Sequence, residues 1–336
     1  MMLAAALLLC LAQPQDPAHA LVHVERLWDR AEHQAFTDLV EYDGRLVVTF
    51  REGSDHASGR DGVVRLLVSD DEGLSWRSAG LLEEEGIDLR DPKLSVTPDG
   101  RLMVVMGGST YEGSALTGRL PRVAFGRGTP LTLGEVQVAR IDPKVSGDQD
   151  WLWRVTWHEG RGFGVVYQPD RSPWGMHLVT TTDGVGYEHV ATLGLDGDGN
   201  ETTLRFREDG TMIALVRRES GDQVAMIGHA PPPYTEWTWS KLPVRLGGPN
   251  FAILPGGELL AAGREYAADG QYTRLGRVDL AGAWHTLLRL PSGGDTSYPG
   301  LLVDGERLWC SYYSGHEGRT SIYLAQLRLP NLLARE

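Results

Sequence analysis

A pair of short strands joined by a tight turn that contains glycine recurs along the chain, and this repeat constrains the fold more than any other feature of the sequence. One copy is "AFTDLVEYDGRLVVTFREG" from Ala35, and another is "SYPGLLVDGERLWCSYYSG" from Ser297. The six turn glycines that we assign are Gly44, Gly100, Gly162, Gly210, Gly257 and Gly305. They are spaced by 56, 62, 48, 47 and 48 residues, which fits propeller blades better than a sandwich or a helical solenoid.

A further strand pair follows the hairpins, as in "VVRLLVSDDEGLSWRS" and "MHLVTTTDGVGYEHVATL". Each repeat is therefore predicted to form a four-stranded antiparallel sheet, which makes the chain an all-β, six-bladed β-propeller. The last repeat lacks an outer strand, and "ALVHVERLWD" from Ala20 can supply it by pairing the two ends of the chain. We expect one propeller domain over residues 21–336.

The first twenty residues, "MMLAAALLLCLAQPQDPAHA", contain an apolar run from Leu3 to Ala12. This run has the length of a signal-peptide core and is too short to span a bilayer. We therefore predict that residues 1–20 are a signal peptide, that the protein is secreted or periplasmic, and that it has no integral membrane segment. Only Cys310 would remain after cleavage, so no intrachain disulfide is expected.

The charge of the chain restricts its partners. With 45 acidic against 32 basic residues the formal net charge is -13, which argues against binding nucleic acid through a basic surface. A local cluster of arginines could still bind an anionic ligand against this net charge.

The stretch "SDDEGLSW" could be a metal loop, an active site or a turn. Ser69, Asp71, Gly73, Ser75 and Trp76 fill every specified position of the Asp-box, and the stretch thus resembles that motif of the sialidase family. The resemblance implies a turn between the third and fourth strands of a blade. Asp71 would accept backbone N–H bonds there and Trp76 would pack between blades, so the expected role is structural.

A second acidic stretch, "DGDGNE" from Asp196, looks like the beginning of a calcium loop. Its sixth position is Glu201 rather than glycine, and its twelfth is Arg207 rather than glutamate. The pattern fails where ligation requires it, so we predict a polar loop. We expect neither a metal nor another cofactor.

The hairpin geometry brings polar residues of all repeats to one face of the propeller. In an antiparallel hairpin the beginning of the first strand and the end of the second lie at the same end. Residues there that we expect to bind substrate are Arg51, Arg90, Asp91, Arg154, Arg217, Arg218, Arg264 and Asp295. Each one alone could be a solvated or salt-bridged rim residue, but the set favours a site.

Two segments extend the resemblance to sialidases. "NETTLRFREDGTMIALVRRE" is similar to their fourth-blade segment, and "DTSYPGLLVDGERLWCSYY" is similar to their last-blade segment. The resemblance implies that Tyr298 is the nucleophile and that Glu201 is the base that activates it. It also implies that Arg217 or Arg218, together with Arg264, faces a substrate carboxylate. Asp55 or Asp61 would be the acid/base, with His56 as a competitor for that role.

The residue types suit this chemistry. Tyrosine is a weak nucleophile until a neighbouring carboxylate accepts its proton, and an uncharged nucleophile avoids repulsion by an anionic sugar. Arginine offers a planar fork that can bind a carboxylate through two parallel hydrogen bonds.

The first repeat departs from the sialidase pattern. Sialidases begin this blade with a Phe-Arg-Ile-Pro segment, whereas this chain has "AFTDL" from Ala35, without arginine. Either Arg90 or Arg51 takes the place of the missing arginine, or the substrate is not a sialic acid.

The sequence as a whole predicts a secreted glycoside hydrolase of the exo-α-sialidase type that acts on an acidic glycan. A first alternative is another glycosidase or a polysaccharide lyase, in which Tyr298, His56 or His316 would act as acid/base. A second is a noncatalytic carbohydrate-binding propeller with sugar-stacking tryptophans. The candidates for stacking are Trp151, Trp153, Trp157 and Trp174.

Overall fold

The computed structural model describes residues 17–57 and 62–334, and within these ranges the chain forms six sheets. A 3₁₀ turn at Pro17–Ala20 precedes strand β1 (Leu21–Trp28). The first sheet contains β2 (His33–Tyr42), β3 (Arg45–Gly53), β4 (Val63–Ser69) and β5 (Arg77–Leu82). The second contains β6 (Asp88–Val96), β7 (Leu102–Glu112) and β8 (Ala115–Arg127), with the short β9 (Thr132–Leu133) and β10 (Gln137–Val138).

The remaining sheets follow in chain order. The third contains β11 (Arg140–Ile141), β12 (Trp151–Leu152), β13 (Thr156–His158), β14 (Arg161–Gln168), β15 (Gly175–Thr181) and β16 (Gly186–Thr192). The fourth contains β17 (Gly199–Phe206), β18 (Met212–Arg218), β19 (Met226–Ala230) and β20 (Thr238–Lys241). The fifth contains β21 (Gly247–Ile253), β22 (Leu259–Ala267), β23 (Gly270–Val278) and β24 (Trp284–Arg289). The sixth contains β25 (Thr296–Asp304), β26 (Arg307–Ser314) and β27 (Ser321–Arg328), together with β1, and the helix α1 (Leu329–Leu333) follows β27.

The predicted six-bladed propeller of antiparallel four-stranded blades is confirmed, and so is its closure. Strand β1 pairs antiparallel with β27, with Val24 opposite Ala325. The N-terminal segment thus completes the last blade and covers the edge that β27 would otherwise expose.

The third blade departs from the regular pattern. Its inner strand is split into β12 and β13, and β11 pairs parallel with β16 at the outer edge. Our assignment of Gly162 as the turn glycine of this blade is wrong. The turn lies at Glu159 and Gly160, which both have positive φ, whereas Gly162 is within β14. Two glycines flank Arg161, and the sequence pattern does not show which one the turn uses.

The hairpin turns and "SDDEGLSW" lie at the same face of the propeller. Ser69, at the end of β4, pairs with Leu46, which follows the Asp43–Gly44 turn. Asp71 accepts the backbone N–H of Ser75 at 2.9 Å and the Ser75 hydroxyl at 2.6 Å, so the turn closes on its own side chains. The beginnings of the inner strands lie at the opposite face.

A β-bulge interrupts five inner strands at equivalent positions. The register shifts by one residue after Ala35 in β2, Arg90 in β6, Asn200 in β17, Gly247 in β21 and Ser297 in β25. The residue after each of these positions has a positive φ. These residues are Phe36, Asp91, Glu201, Gly248 and Tyr298.

Side chains link neighbouring inner strands around the axis. The Thr37 hydroxyl donates to the carbonyl of Tyr298 at 2.8 Å, and the Asn250 amide donates to that of Pro299 at 3.0 Å. The Thr203 hydroxyl donates to the carbonyl of Pro249 at 2.9 Å. These bonds fix the position of one bulge relative to the next along the propeller axis.

Most of the predicted signal peptide lies outside the described residues, and so does Cys10. Among the residues that the structure describes, none belongs to a helix long and apolar enough to cross a membrane. Cys310 is buried and free.

Candidate functional site

The bulges place two of the predicted site residues side by side. Glu201 in the fourth blade and Tyr298 in the sixth both occupy the positive-φ position of their strands. A non-glycine residue in this conformation costs on the order of 1–3 kcal/mol, and such strain is characteristic of functional sites. The Tyr298 hydroxyl donates to Glu201 Oε1 at 2.6 Å, across the axis of the propeller.

Arg217 from β18 contacts both members of this pair. Its Nη1 donates to Glu201 Oε2 at 2.7 Å and lies 3.1 Å from the Tyr298 hydroxyl oxygen. Its Nη2 lies 2.5 Å from Glu219 Oε1. The backbone N–H of Gly248 also donates to Glu201 Oε2, at 2.9 Å. The Glu201 carboxylate is therefore fixed by three donors, all of which favour its ionised form.

The electrostatics of the pair give its two members different protonation states. Burial acts to raise the pKa of Glu201, but Arg217 and the hydrogen bonds to the carboxylate lower it below its usual value. Burial raises the pKa of Tyr298 well above its usual range, and the Glu201 charge raises it further. At neutral pH the pair thus consists of a carboxylate and a neutral phenol, and the phenol proton already points at its acceptor.

A second group of residues forms beside the Tyr298 ring. Arg264 from β22 has its guanidinium carbon 5.5 Å from the centre of that ring, and its Nη2 donates to the Tyr313 hydroxyl at 2.7 Å. The same Nη2 lies 3.3 Å from Asp295 Oδ1, which also accepts the Tyr313 hydroxyl proton at 2.7 Å. The two predicted substrate-binding residues Arg264 and Asp295 therefore lie together next to Tyr298.

Asp295 holds two imidazoles. His33 Nε2 and His56 Nδ1 lie 3.0 Å and 2.7 Å from Asp295 Oδ2. Burial acts to raise the pKa of Asp295, but hydrogen bonds from both histidines and from Tyr313 hold it well below its usual value. Ligand atoms of His33, His56 and Asp295 all lie within 4.8 Å of one another, so these residues could also hold a metal ion.

Arg90 reaches the site from the second blade, whereas Arg51 does not. The guanidinium carbon of Arg90 lies 5.3 Å from the centre of the Phe36 ring, and its Nη2 donates to the carbonyl of His56 at 2.9 Å. The side chain of Arg51 is fully buried and forms a 2.8 Å ion pair with Asp88. The segment "AFTDL" of the first blade has no arginine, and Arg90 is thus the arginine that lies next to it.

Arg154 and Arg218 are engaged by other groups, whereas Asp91 has one ion-pair contact among the described residues, with Arg90 at 4.0 Å. Asp91 occupies the bulge of β6 and is nearly buried. Arg154 forms a 2.5 Å ion pair with Asp38 at the axis. Arg217 and Arg218 lie on opposite sides of β18, because neighbouring side chains alternate along a strand. Arg218 donates to the carbonyl of Val224 at 2.7 Å.

The candidate acid/base residues lie in one segment. Asp55 is exposed, and its Oδ1 accepts the backbone N–H of His56 at 2.6 Å. His56 contacts Phe36, with ring centres 5.0 Å apart, and Phe36 contacts Tyr298 at the same distance. Asp61 lies outside the described residues.

Sequence reasoning missed three residues that touch Tyr298. Phe36 packs edge-on against it, Gly248 lies under its ring, and Lys93 Nζ lies 5.6 Å from the ring centre. Nζ of the buried Lys93 also lies 4.5 Å from the centre of the Trp153 ring. The signal that could have found them is their place in the repeat, because the bulge residue or its close neighbour recurs at the same position of five inner strands.

Comparisons with known proteins identify the fold. No family model matches the sequence, and a search of curated proteins finds no significant relative. A solved protein of unknown function from Dyadobacter fermentans superposes with a TM-score of 0.78 at 20% identity, covering 92% of this chain and 98% of that one. A sialidase from Trypanosoma rangeli gives a TM-score of 0.70 at 12% identity and covers 90% of this chain, which spans 56% of the sialidase.

An α-L-arabinofuranosidase from Fusarium graminearum is similar over its whole length. Its TM-score is 0.71 at 14% identity, and the match covers 94% of this chain and 99% of that enzyme. These likenesses show that the chain has the six-bladed, sialidase-like propeller fold.

Replacing Gly248 by alanine should displace Tyr298. A Cβ at this position would lie 2.7 Å from Cγ of Tyr298, and φ is +56°. The matched control is Gly257→Ala, because Gly257 also has a positive φ, +82°, but has open space around its Cβ position. We expect Gly257→Ala to lower the free energy of unfolding by about 1 kcal/mol. Gly248→Ala should lower it by a further 1–3 kcal/mol or so. Equal losses in denaturant unfolding would show that Tyr298 does not need this close contact.

Replacing Lys93 by methionine should change how stability depends on pH. Burial lowers the pKa of Lys93 to about 8 from a usual value of 10.5, with Asp91 and Asp38 acting in the opposite direction. Between these two pH values the unfolded chain binds more protons at this site than the folded chain, so the wild type gains stability as pH rises. The free energy of unfolding of the wild type, minus that of Lys93→Met, should therefore rise by up to about 1.4 kcal/mol per pH unit over this window. Below the window this difference should change by close to zero. Denaturant unfolding at several pH values measures the difference, and parallel profiles would contradict the prediction.

Proposed function

We propose that this protein is a retaining glycoside hydrolase of the exo-α-sialidase type, which removes a terminal acidic sugar from a glycan. The observation that carries the proposal is the 2.6 Å hydrogen bond between the Tyr298 hydroxyl and Glu201, both held at strained bulge positions. Tyr298 attacks the anomeric carbon while Glu201 accepts its proton. A neutral nucleophile of this kind suits a sugar that carries a carboxylate.

Three arginines around the pair support an acidic substrate. Arg217 contacts the Tyr298 hydroxyl, Arg264 lies beside the ring of Tyr298, and Arg90 lies beside Phe36, which packs on that ring. Arg90 approaches its nearest carboxylate, that of Asp91, only to 4.0 Å, and its buried Nε has no partner. Of the three guanidiniums, that of Arg90 is the one without a close carboxylate, and in this proposal it takes the place of the arginine missing from the first blade.

A second candidate is a glycosidase for a sugar without a carboxylate. Arg217 already faces the carboxylates of Glu201 and Glu219. Arg264 already faces the carboxylate of Asp295, and these two observations favour this candidate. The fold likeness to an α-L-arabinofuranosidase is compatible with this alternative. Turnover of an aryl α-L-arabinofuranoside but not of an aryl α-sialoside would favour it.

The other two alternatives have less support. A binding propeller would use exposed aromatic rings, but Trp151 and Trp153 are buried, and Trp157 and Trp174 are half-buried. For a lyase, His316 is a weak acid/base candidate because its Nδ1 lies 2.9 Å from the Ser314 hydroxyl and its ring packs on Tyr323, away from Tyr298. An ultraviolet-absorbing unsaturated product would identify a lyase, and glycan binding without turnover would identify a binding module.

We also propose that the enzyme acts outside the cytoplasm. This rests on the apolar segment Leu3 to Ala12, whose length suits a signal peptide. The N-terminal residue of protein recovered from the medium or periplasm tests it, and retention of residues 1–20 in the cytoplasm would contradict it.

Replacing Tyr298 by phenylalanine should abolish hydrolysis, because it removes only the attacking oxygen. We expect kcat for an aryl α-sialoside to fall by roughly 10³-fold or more, with an unchanged fold. The control is Tyr312→Phe, because the Tyr312 hydroxyl donates to the carbonyl of Pro291 and takes no part in the site. Activity of Tyr298→Phe within about tenfold of wild type would overturn the assignment.

A further inference from the structure

The environment of Asp295 distinguishes its two histidines. His33 is at the beginning of β2, His56 follows β3, and Asp295 directly precedes β25, so the three meet only in the folded chain. Both imidazoles use one nitrogen to contact Asp295 Oδ2. The side chain of His33 is 12% exposed and that of His56 is 41% exposed. His56 is therefore the imidazole that can meet a substrate.

Asp295 is itself fixed in orientation. Its Oδ1 accepts the Tyr313 hydroxyl proton at 2.7 Å and lies 3.3 Å from Arg264 Nη2, while Oδ2 faces the two histidines. A carboxylate bound on both oxygens cannot rotate without losing several hydrogen bonds. It therefore orients His56 with Nδ1 inward, which leaves Nε2 as the nitrogen directed away from the carboxylate.

The position of His56 relative to Tyr298 suits a proton donor. The Phe36 ring contacts both side chains edge-on, with its centre 5.0 Å from the centre of each ring, and so fixes them next to one another. The nucleophile lies at the buried floor of the site, where Tyr298 is 6% exposed, and His56 lies toward solvent. A sugar on Tyr298 would direct its leaving group outward, toward the face where His56 lies.

We infer that His56, positioned by Asp295, is the general acid and base of the reaction, an inference that rests on the proposed hydrolase function. In the first step Tyr298 forms a bond to the anomeric carbon and passes its proton to Glu201. The bond to the leaving oxygen breaks as His56 Nε2 gives that oxygen its proton. In the second step His56 Nε2 takes a proton from water, the water oxygen bonds to the anomeric carbon, and the Tyr298 oxygen leaves and regains its proton from Glu201.

The structure favours His56 over Asp55 and over a metal ion in this place. Asp55 is exposed, and its carboxylate accepts the backbone N–H of His56. Its contact with the His56–Asp295 pair is therefore through the backbone of His56. The two imidazoles already satisfy Asp295 Oδ2 as hydrogen-bond donors.

The test compares leaving groups on the same sugar. An alkyl or sugar leaving group needs a proton from the acid, whereas an acidic phenol leaves without one. We expect His56→Ala to slow the first turnover of the alkyl glycoside by about 10²–10⁴-fold and to leave that of the activated aryl glycoside within about tenfold of wild type. Added azide should accelerate the second step of the variant and yield a glycosyl azide. Activity on the aryl glycoside also shows that the variant is folded, and His56→Gln provides a second variant.

Three outcomes would overturn the inference. One is an equal loss of rate on both leaving groups. Another is the same leaving-group signature in Asp55→Asn but not in the His56 variants. The third is loss of wild-type activity with a chelator and its return with a divalent metal. Failure of the proposed function would look different, because the wild type would then turn over neither glycoside or Tyr298→Phe would remain active.

Discussion

In five of the described inner strands, one extra residue bulges toward the axis and holds the backbone at positive φ. In a regular inner strand the side chains alternate between the two neighbouring blades. None of them would therefore be directed across the propeller axis at the position of the bulge. The bulge changes that direction, and it brings Glu201 and Tyr298 together from separate blades. The side-chain bonds that join adjacent inner strands, such as that from Thr37 to the carbonyl of Tyr298, help to offset the strain.

The charges of the site follow from the same geometry. The chain has a formal net charge of -13, yet Arg217 and Arg264 from the fourth and fifth blades lie beside Tyr298, and Arg90 from the second blade lies beside Phe36, which packs on Tyr298. Such a group is tolerated in a buried setting because carboxylates alternate with the guanidiniums, as Glu201 does with Arg217 and Asp295 with Arg264. The compensated cluster keeps the carboxylates ionised and the phenol protonated, which is the state from which a base-assisted attack can begin.

Much of the fold could be predicted from the sequence, because alternating strands and glycine turns are local signals that the repeat multiplies six times. The site could be predicted only in part. Arg51 and Arg217 both end the second strand of a hairpin, and only the packing of Asp88 from the next blade removes Arg51 from the site. Gly248 and Lys93 have no local signature, since a glycine or a lone lysine at the beginning of a strand is ordinary until its neighbours across the axis are known.

The central claim is that Tyr298 forms the covalent bond to the sugar. Incubation with a 2,3-difluorinated sialic acid tests it most directly, because fluorine next to the anomeric carbon slows breakdown of the glycosyl-enzyme intermediate. Peptide mass spectrometry should find the sugar on Tyr298 in the wild type and not in Tyr298→Phe. A label on Glu201, or hydrolysis of sialosides without any trapped adduct, would contradict the account.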